Sequence, residues 1–278
     1  MEDQAETNKR LWLIGGTTES SQLAAAIAQA QLPCTISVTT ENARSLYPDV
    51  PVLRVWVGRL DFAQIRQFLA TENIGAVLDA SHPYAVEISK NAIAACTQLA
   101  IPYLRYERPR FESENSLSTS RQIVHLDSFD TLLAGEYLEG QRVLLTIGYK
   151  VLPLFRDWQK RSTLFARVLP LTSSIEAALA AGFTIDKLFA MRPPIPAELE
   201  KALWQHWQIS TVVTKASGTP GGEDIKRLVA DELGVTLIVI DPPLVEYPQV
   251  TSDLSEAIEF CSDYLSRLAD VTFRQLRS

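Results

Sequence analysis

Apolar residues in the first hundred positions come in short unbroken runs, at Leu11–Ile14, Thr35–Val38, Val52–Val57, Ala76–Leu78 and Pro102–Leu104. Runs of this length predict strands buried on both faces. Between them, Ser20–Ala30, Phe62–Thr71 and Ala85–Leu99 are rich in Ala, Leu, Ile and Gln and carry a helical spacing. Such alternation predicts an α/β fold with mainly parallel sheets, covered by helices on both faces and joined by right-handed crossovers. The pattern lapses from Glu107 to Arg121, a charged, Ser-rich stretch without periodicity. A boundary there gives two expected domains, 1–118 and 119–278. Strands resume near Ile123–His125, Arg142–Thr146, Leu164–Val168, Lys187–Ala190, Thr211–Thr214 and Thr236–Ile240, with helices at Ser173–Ala181, Pro196–Trp207, Glu223–Leu233 and Ser252–Leu268.

The halves echo each other. Asn73–Pro83 and Gln208–Gly218 each read as a strand ending in a Ser-containing turn, and each leads through a helix to another strand. Duplication and the ordinary layout of a βαβ unit both produce this. In open parallel sheets ligands lie beyond the carboxyl ends of strands. Gly15-Gly16, Asp79–Tyr84, Thr146–Lys150 and Lys215–Gly218 all fall there, and two facing sheets would gather them around one cleft.

Composition removes several classes. With 46% hydrophobic residues in 278, the chain supports a substantial core. A net charge of −7 gives a nucleic-acid partner no global support, so an anionic ligand needs a local basic pocket. Cys34, Cys96 and Cys261 are odd in number and widely spaced, which suggests neither a disulfide framework nor a metal site. No apolar run reaches membrane-spanning length, and the polar start of the chain does not read as a secretion signal. The expectation is a cytoplasmic protein with no membrane partner. Its oligomeric state is not legible.

Leu11–Ser20 is a strand that breaks on Gly15-Gly16 just before a helix. This order presents backbone N–H groups where a phosphate sits, with Thr17 and Thr18 as added hydroxyl donors. It equally suits a turn without a ligand. In Asp79-Ala-Ser81-His82-Pro83-Tyr84-Ala85, Ser81 is either a helix cap with Pro83 in the first turn or a site residue. His82 near a helix start would favour its neutral form and act as a donor. Arg59, Arg105, Arg108, Lys150 and Lys215 lie at or just past strand ends, where they are surface charges or the cations of a ligand pocket. His125 and His206 read as structural.

Taken in order, Gly15-Gly-Thr-Thr-Glu19, Gly58-Arg-Leu-Asp61, Asp79–Ala85, Leu104-Arg-Tyr-Glu-Arg-Pro109 and Val213-Thr-Lys-Ala-Ser-Gly218 resemble the precorrin-6A reductase family over residues 10 to 243. The resemblance implies two Rossmann-like lobes with an interlobe cleft holding the active site. It implies NADPH-dependent reduction of one double bond of the precorrin-6A macrocycle, or of its cobalt form, to precorrin-6B in cobalamin biosynthesis. NADH is the other possible cofactor, and the partner is a tetrapyrrole.

Carried over, Gly15, Gly16, Thr17 and Glu19 form the phosphate-side turn, with Gly58 also on the cofactor side and Ser81, His82 and Pro83 near the nicotinamide. Ser81 and His82 are the candidates for positioning or proton donation, beside water. Thr39 and Thr40 fall at the adenosine ribose. Nearby, Glu41 suits a ribose diol and Arg44 a 2′-phosphate. The substrate carboxylates fall to Arg105, Arg108, Lys150, Lys215, Ser217 and Gly218. Ala216 stands where the family has Asn, Ser81 where it has Thr and Tyr84 where it has Phe. A non-catalytic nicotinamide sensor would need Gly15-Gly16 without the basic strand ends, and a tetrapyrrole-binding protein is the other alternative.

Overall fold

In the computed structural model, which describes residues 9–107 and 123–275, the apolar runs become two six-stranded sheets in which every pairing is parallel. The chain begins β1 (Arg10–Ile14), α1 (Thr18–Gln29), β2 (Cys34–Val38), α2 (Glu41–Arg44), β3 (Leu53–Val57), α3 (Phe62–Thr71), β4 (Ile74–Asp79), α4 (Val86–Leu99) and β5 (Tyr103–Tyr106). It continues with β6 (Ile123–Leu126), α5 (Phe129–Ala134), β7 (Arg142–Thr146), β8 (Thr163–Val168), α6 (Thr172–Ala180) and β9 (Leu188–Ala190). It closes with α7 (Ala197–His206), β10 (Thr211–Lys215), α8 (Glu223–Leu233), β11 (Thr236–Ile240), β12 (Val250–Thr251) and α9 (Leu254–Gln275).

The first sheet runs β12-β5-β4-β1-β2-β3 and the second β6-β11-β10-β7-β8-β9. Read from β3 and β9, the first five strands of each follow one plan. The order reverses between β1 and β4 in one sheet and between β7 and β10 in the other. Those reversals are the points where a parallel sheet opens a crevice at its carboxyl edge.

Alternation along β1 shows why each sheet needs two helical layers. Leu11 and Leu13 pack with α1 and with Ala257, Phe260 and Cys261 of α9, while Trp12 and Ile14 pack with Ile65, Phe68 and Leu69 of α3 and Ala92 of α4. In the second sheet Leu144 and Val212 face Trp204 of α7 and Val229 of α8, while Val143, Leu145 and Val213 face Leu152, Phe155 and Trp158.

The domain organisation differs from the expected 1–118 and 119–278. Two compact units are present, and the C-terminal segment from Leu244 onward belongs with the first of them. The expected boundary itself lies outside the described residues. β12 adds to β5, with Arg105 N–H donating to Gln249 O at 2.9 Å and Glu107 N–H to Thr251 O at 2.9 Å. α9 then buries Ala257, Phe260 and Cys261 on the face that α1 shares. The helix itself was legible, but its periodicity does not say which sheet it covers.

Because α9 closes the first unit's core, Phe260→Ala should cost about 3 kcal/mol, although Phe260 lies far along the chain from β1 to β5. Urea denaturation followed by far-ultraviolet circular dichroism checks this.

Candidate functional site

At the end of β1 the two glycines do different work. A Cβ on Gly15 would lie 2.3 Å from the Tyr47 hydroxyl and 3.1 Å from Ile36 Cγ2. Gly15 is therefore small because Tyr47 packs against it. Gly16 has φ +103° and is exposed, with nothing within 4 Å of where a Cβ would be. Only glycine takes that conformation without strain, and its open face admits a ligand to the backbone.

The amides of this turn are partly used internally. Gly16 N–H donates to Tyr47 OH at 2.7 Å and to Ser20 Oγ at 3.1 Å, and Thr17 N–H donates to Ser20 Oγ at 3.0 Å. Thr17 caps α1 through Ser20 N–H and also donates its own hydroxyl to Ala80 O at 2.8 Å. The expected Thr17 hydroxyl donor to a phosphate is thereby corrected, since its proton is committed to joining the β1 and β4 loops across the reversal point. Glu19 is half-buried in the first turn, and Thr18 is exposed beside it. Burial pushes the Tyr47 phenol above its ordinary range, so it stays a neutral donor.

The next strand ends carry the other cofactor-side candidates. Thr39 and Thr40 are exposed between β2 and α2, and Glu41 and Arg44 are exposed on α2. Arg44 makes no ion pair among the described residues. Gly58 ends β3, with N–H to Val38 O at 2.8 Å, and a Cβ there would meet the Trp56 indole at 2.7 Å. Packing under Trp56 accounts for that glycine.

Beyond β4 lies a buried ionic cluster. Asp79 is 0% and Arg105 1% exposed. Asp79 Oδ1 accepts from Arg105 Nη1 at 2.9 Å and Ser81 N–H at 2.9 Å, while Oδ2 accepts from Ser89 Oγ at 2.6 Å and from Tyr103 OH. Arg105 also donates to Ser81 Oγ at 3.1 Å and Ser81 O at 3.0 Å, and its guanidinium lies 5.1 Å from the centre of the Tyr247 ring. Burial opposes the Arg105 charge, but Asp79, Tyr247 and Glu107 raise its pKa. Burial, with Asp79 adjacent, pushes the Tyr103 phenol far up, so it remains a donor.

Two expectations change here. Arg105 is not placed to take a substrate carboxylate, because it is buried and both its Nη atoms donate to Asp79 or Ser81. Ser81 is not the cap of the following helix: α4 starts at Val86 with Ala85 as its uncapped boundary residue. Ser81 instead closes an Asx-type turn on Asp79 and accepts from Arg105. Its hydroxyl is buried and accepts from Arg105 Nη1. His82 is exposed, and its Nδ1 accepts from Tyr84 N–H at 3.2 Å, which assigns the neutral ring's proton to Nε2. Pro83 follows it half-buried.

In the second unit, Lys215 ends β10 half-buried with Nζ 5.8 Å from the Phe129 ring centre, and Lys150 is exposed after the β7 turn. Burial and then the charge of Lys150 lower the Lys215 pKa. A carboxylate ligand would relieve that crowding. Ser217 and Gly218 were expected to contact substrate. Their N–H groups donate to Glu223 Oε2 at 3.0 and 2.9 Å, so an internal carboxylate occupies the position assigned to an external one. Glu223 is 3% exposed and also accepts from Arg227 Nε and Nη2 at 3.0 and 2.8 Å. Arg227 reaches His125, which reaches Asp241, consistent with a structural His125. The remaining candidate, Arg108, lies outside the described residues.

Tyr47, Glu223 and Lys226 were not singled out by sequence. Lys226 is buried, donates to Gly221 O at 2.7 Å and Gly222 O at 3.1 Å, and is pushed down to about 8 by burial and by Arg167. Its signal was a Lys on the apolar face of α8. For Glu223 the signal was an acid opening a helix after a Gly-rich turn. Among the described residues no cluster of His, Cys, Asp or Glu could hold a metal ion, and no helix is long and apolar enough to cross a membrane.

Comparison with known proteins bears on both units. The family profile described as precorrin-6x reductase CbiJ/CobK matches residues 10–262. A cobalt-precorrin-6A reductase of Synechocystis is 43% identical over 258 residues, 92% of this chain and 97% of the relative. One of Salmonella typhimurium is 34% identical over 92% of this chain and 94% of the relative. The solved CobK precorrin-6A reductase superposes with a TM-score of 0.74 at 24% identity, covering 92% and 97% of the two chains, and so shares the fold.

Two predictions follow from the buried charges. Arg105→Met should leave the buried Asp79 carboxyl without its cationic partner, lowering stability by about 3–5 kcal/mol in urea denaturation. Lys226 is depressed from 10.5 to about 8 in the folded chain, so between those values the unfolded chain binds more protons and stability rises with pH. The stability of the protein relative to Lys226→Met should therefore grow across that window, by at most about 1.4 kcal/mol per pH unit. Denaturant titrations across the window check the sign.

Proposed function

The chain belongs to the precorrin-6x reductase family, and from that premise we propose that it reduces one double bond of the cobalt-precorrin-6A macrocycle with NADPH, the cofactor being held by the first unit. The cobalt form is preferred because the relatives at 43% and 34% identity carry that name. The reaction is an oxidoreduction at a CH–CH group in cobalamin biosynthesis. Such a biosynthetic role suits a cytoplasmic protein.

The observation that carries the cofactor assignment is the open face of Gly16 at the reversal between β1 and β4. We place the dinucleotide there. Its pyrophosphate would lie over Gly16 and the first turn of α1, its ribose by Thr39 and Thr40, and its nicotinamide toward the Ser81–Pro83 loop. Arg44, exposed and without an ion pair among the described residues, favours a 2′-phosphate and hence NADPH over NADH. Glu41 on the same short helix is the residue that would suit NADH.

When bound, the nicotinamide supplies the hydride. The chain's own residues bind and orient. Asp79 and Arg105 fix the Ser81 turn, and exposed His82 stands beside it as the candidate for positioning or proton donation. Lys215 and Lys150 of the second unit are cations suited to macrocycle carboxylates. Arg108 is proposed for the same role by its place in the family motif alone.

Anaerobic turnover with cobalt-precorrin-6A and with precorrin-6A, each with NADPH and NADH, tests this reading. The expected result is cofactor oxidation only when macrocycle is present, faster with NADPH. No oxidation with either macrocycle would overturn it. Lys215→Ala should raise KM for the macrocycle about tenfold or more, the loss of one charge-assisted contact, and leave KM for NADPH nearly unchanged. Equal losses for both would return Lys215 to a structural role.

A further inference from the structure

Tyr47 lies three residues beyond α2, yet its side chain ends beneath the glycine turn of β1. It is only 8% exposed. Its hydroxyl is 2.7 Å from Gly16 N and 2.7 Å from Ser20 Oγ. Gly16 N–H can only donate, so the phenol oxygen accepts from it. Ser20 Oγ, which accepts the Gly16 and Thr17 amides and lies 2.7 Å from Thr17 O, shares a hydroxyl–hydroxyl hydrogen bond with the phenol that either proton can make. One hydroxyl thus joins the glycine turn to the third residue of the box in which Thr17 caps α1.

The backbone of the same segment is tied to α2 and to α1. Tyr47 N–H donates to Arg44 O at 3.2 Å, Leu46 N–H to Ala43 O at 3.2 Å, and Ser21 Oγ of α1 to Leu46 O at 2.7 Å. The segment carrying Glu41 and Arg44 is therefore pinned at its far end to the turn carrying Gly15 and Gly16. The fit is close, since no Cβ at Gly15 could coexist with the hydroxyl where it stands.

We propose that Tyr47 is a positioning residue for the nicotinamide cofactor, setting the Gly16 turn at the phosphates and holding it in register with the Arg44 segment at the ribose. This rests on the reading that the first unit binds that cofactor. Without the hydroxyl, Gly16 N–H keeps only its longer contact to Ser20, and Ser20 loses a hydrogen-bond partner. The turn, already at a conformation reserved for glycine, then samples other arrangements, and the cost of ordering it falls on cofactor binding. The macrocycle contacts in the second unit are untouched.

The test is a two-by-two set of variants: the unmodified protein, Tyr47→Phe, Gly15→Ala and the double variant, each titrated with NADPH by fluorescence and assayed with the macrocycle. Tyr47→Phe keeps the ring and should stay folded. It should raise Kd for NADPH about tenfold, the equivalent of one hydrogen bond at about 1.4 kcal/mol. Its kcat at saturating cofactor and its KM for the macrocycle should stay within about twofold, because no macrocycle contact changes. Hydrogen exchange of the cofactor-free variant should be faster at the Gly16 amide, a readout independent of turnover.

Gly15→Ala should weaken NADPH binding at least as much, by driving the Tyr47 hydroxyl out of place. The double variant should be no weaker than the weaker single one, since the hydroxyl at 2.3 Å from the new methyl is gone and Ile36 Cγ2 and the ring carbon at 3.1 Å need give only slightly. Unchanged NADPH affinity in Tyr47→Phe, or penalties that multiply in the double variant, would overturn the proposal while the cofactor reading stands. If the unmodified protein binds neither NADPH nor NADH, both fall together.

Discussion

The ion pair between Asp79 and Arg105 is the constraint on which the arrangement of the first unit depends. Withdrawing two full charges from water costs several kcal/mol per ion unless each finds its full set of partners. Asp79 does, with four donors on two oxygens. Those donors come from β5, from the loop after β4 and from α4, so satisfying one carboxylate fixes three elements. Arg105 extends the same logic outward. Its backbone pairs with Gln249 and its guanidinium packs against Tyr247. The return of the chain after Leu244 is thus tied to the pair that shapes the Ser81 turn. Arg105 Nε, buried without a hydrogen bond and 3.5 Å from Glu107 Oε1, is the one imperfect element of the cluster.

The two units share a strand plan and use the turn at the reversal point differently. In the first, the amides of Gly16 and Thr17 meet the neutral hydroxyls of Ser20 and Tyr47. In the second, the amides of Ser217 and Gly218 meet the carboxylate of Glu223. A helix start carries partial positive charge. At α8 the carboxylate of Glu223 itself meets the turn's amides, whereas at α1 neutral hydroxyls meet them and the acid of the first turn, Glu19, follows two residues after the cap. The two turns therefore differ in what a further anion would meet at the amides. The second offers Lys215 and Lys150, side-chain cations suited to carboxylates, at its own reversal point.

Much of this architecture was legible because strands of a parallel sheet are buried on both faces and appear as unbroken apolar runs. Phe62–Thr71 and Glu223–Leu233 were bounded correctly because Asp61 and the preceding glycines mark their starts. What escaped was pairing at long range. A helix stripe such as Ala257, Phe260 and Cys261 fits any apolar sheet face, and β12 is only two residues long. Charged residues at strand ends failed for a related reason, since Arg105 reads the same in a sequence whether it faces solvent or a buried acid. A signal was nevertheless present. In a strand, positions two apart share a face, so Tyr103 and Arg105 point together, and both reach Asp79 on the neighbouring strand.

The Gly15-Gly16 pair shows how a motif divides once its surroundings are known. Both glycines looked like concessions to an approaching anion. Only Gly16 has an open face, while Gly15 is a concession to Tyr47, which approaches from inside the protein. The inner glycine lets a phenol reach the turn, and the phenol holds the outer glycine in a conformation that no other residue takes without strain. Close backbone approach by a ligand thus depends on close approach by the protein's own side chain from the opposite side. A glycine pair at a strand end therefore carries two separate steric demands, and the residue answering the inner one comes from wherever the fold returns the chain, here from just past α2.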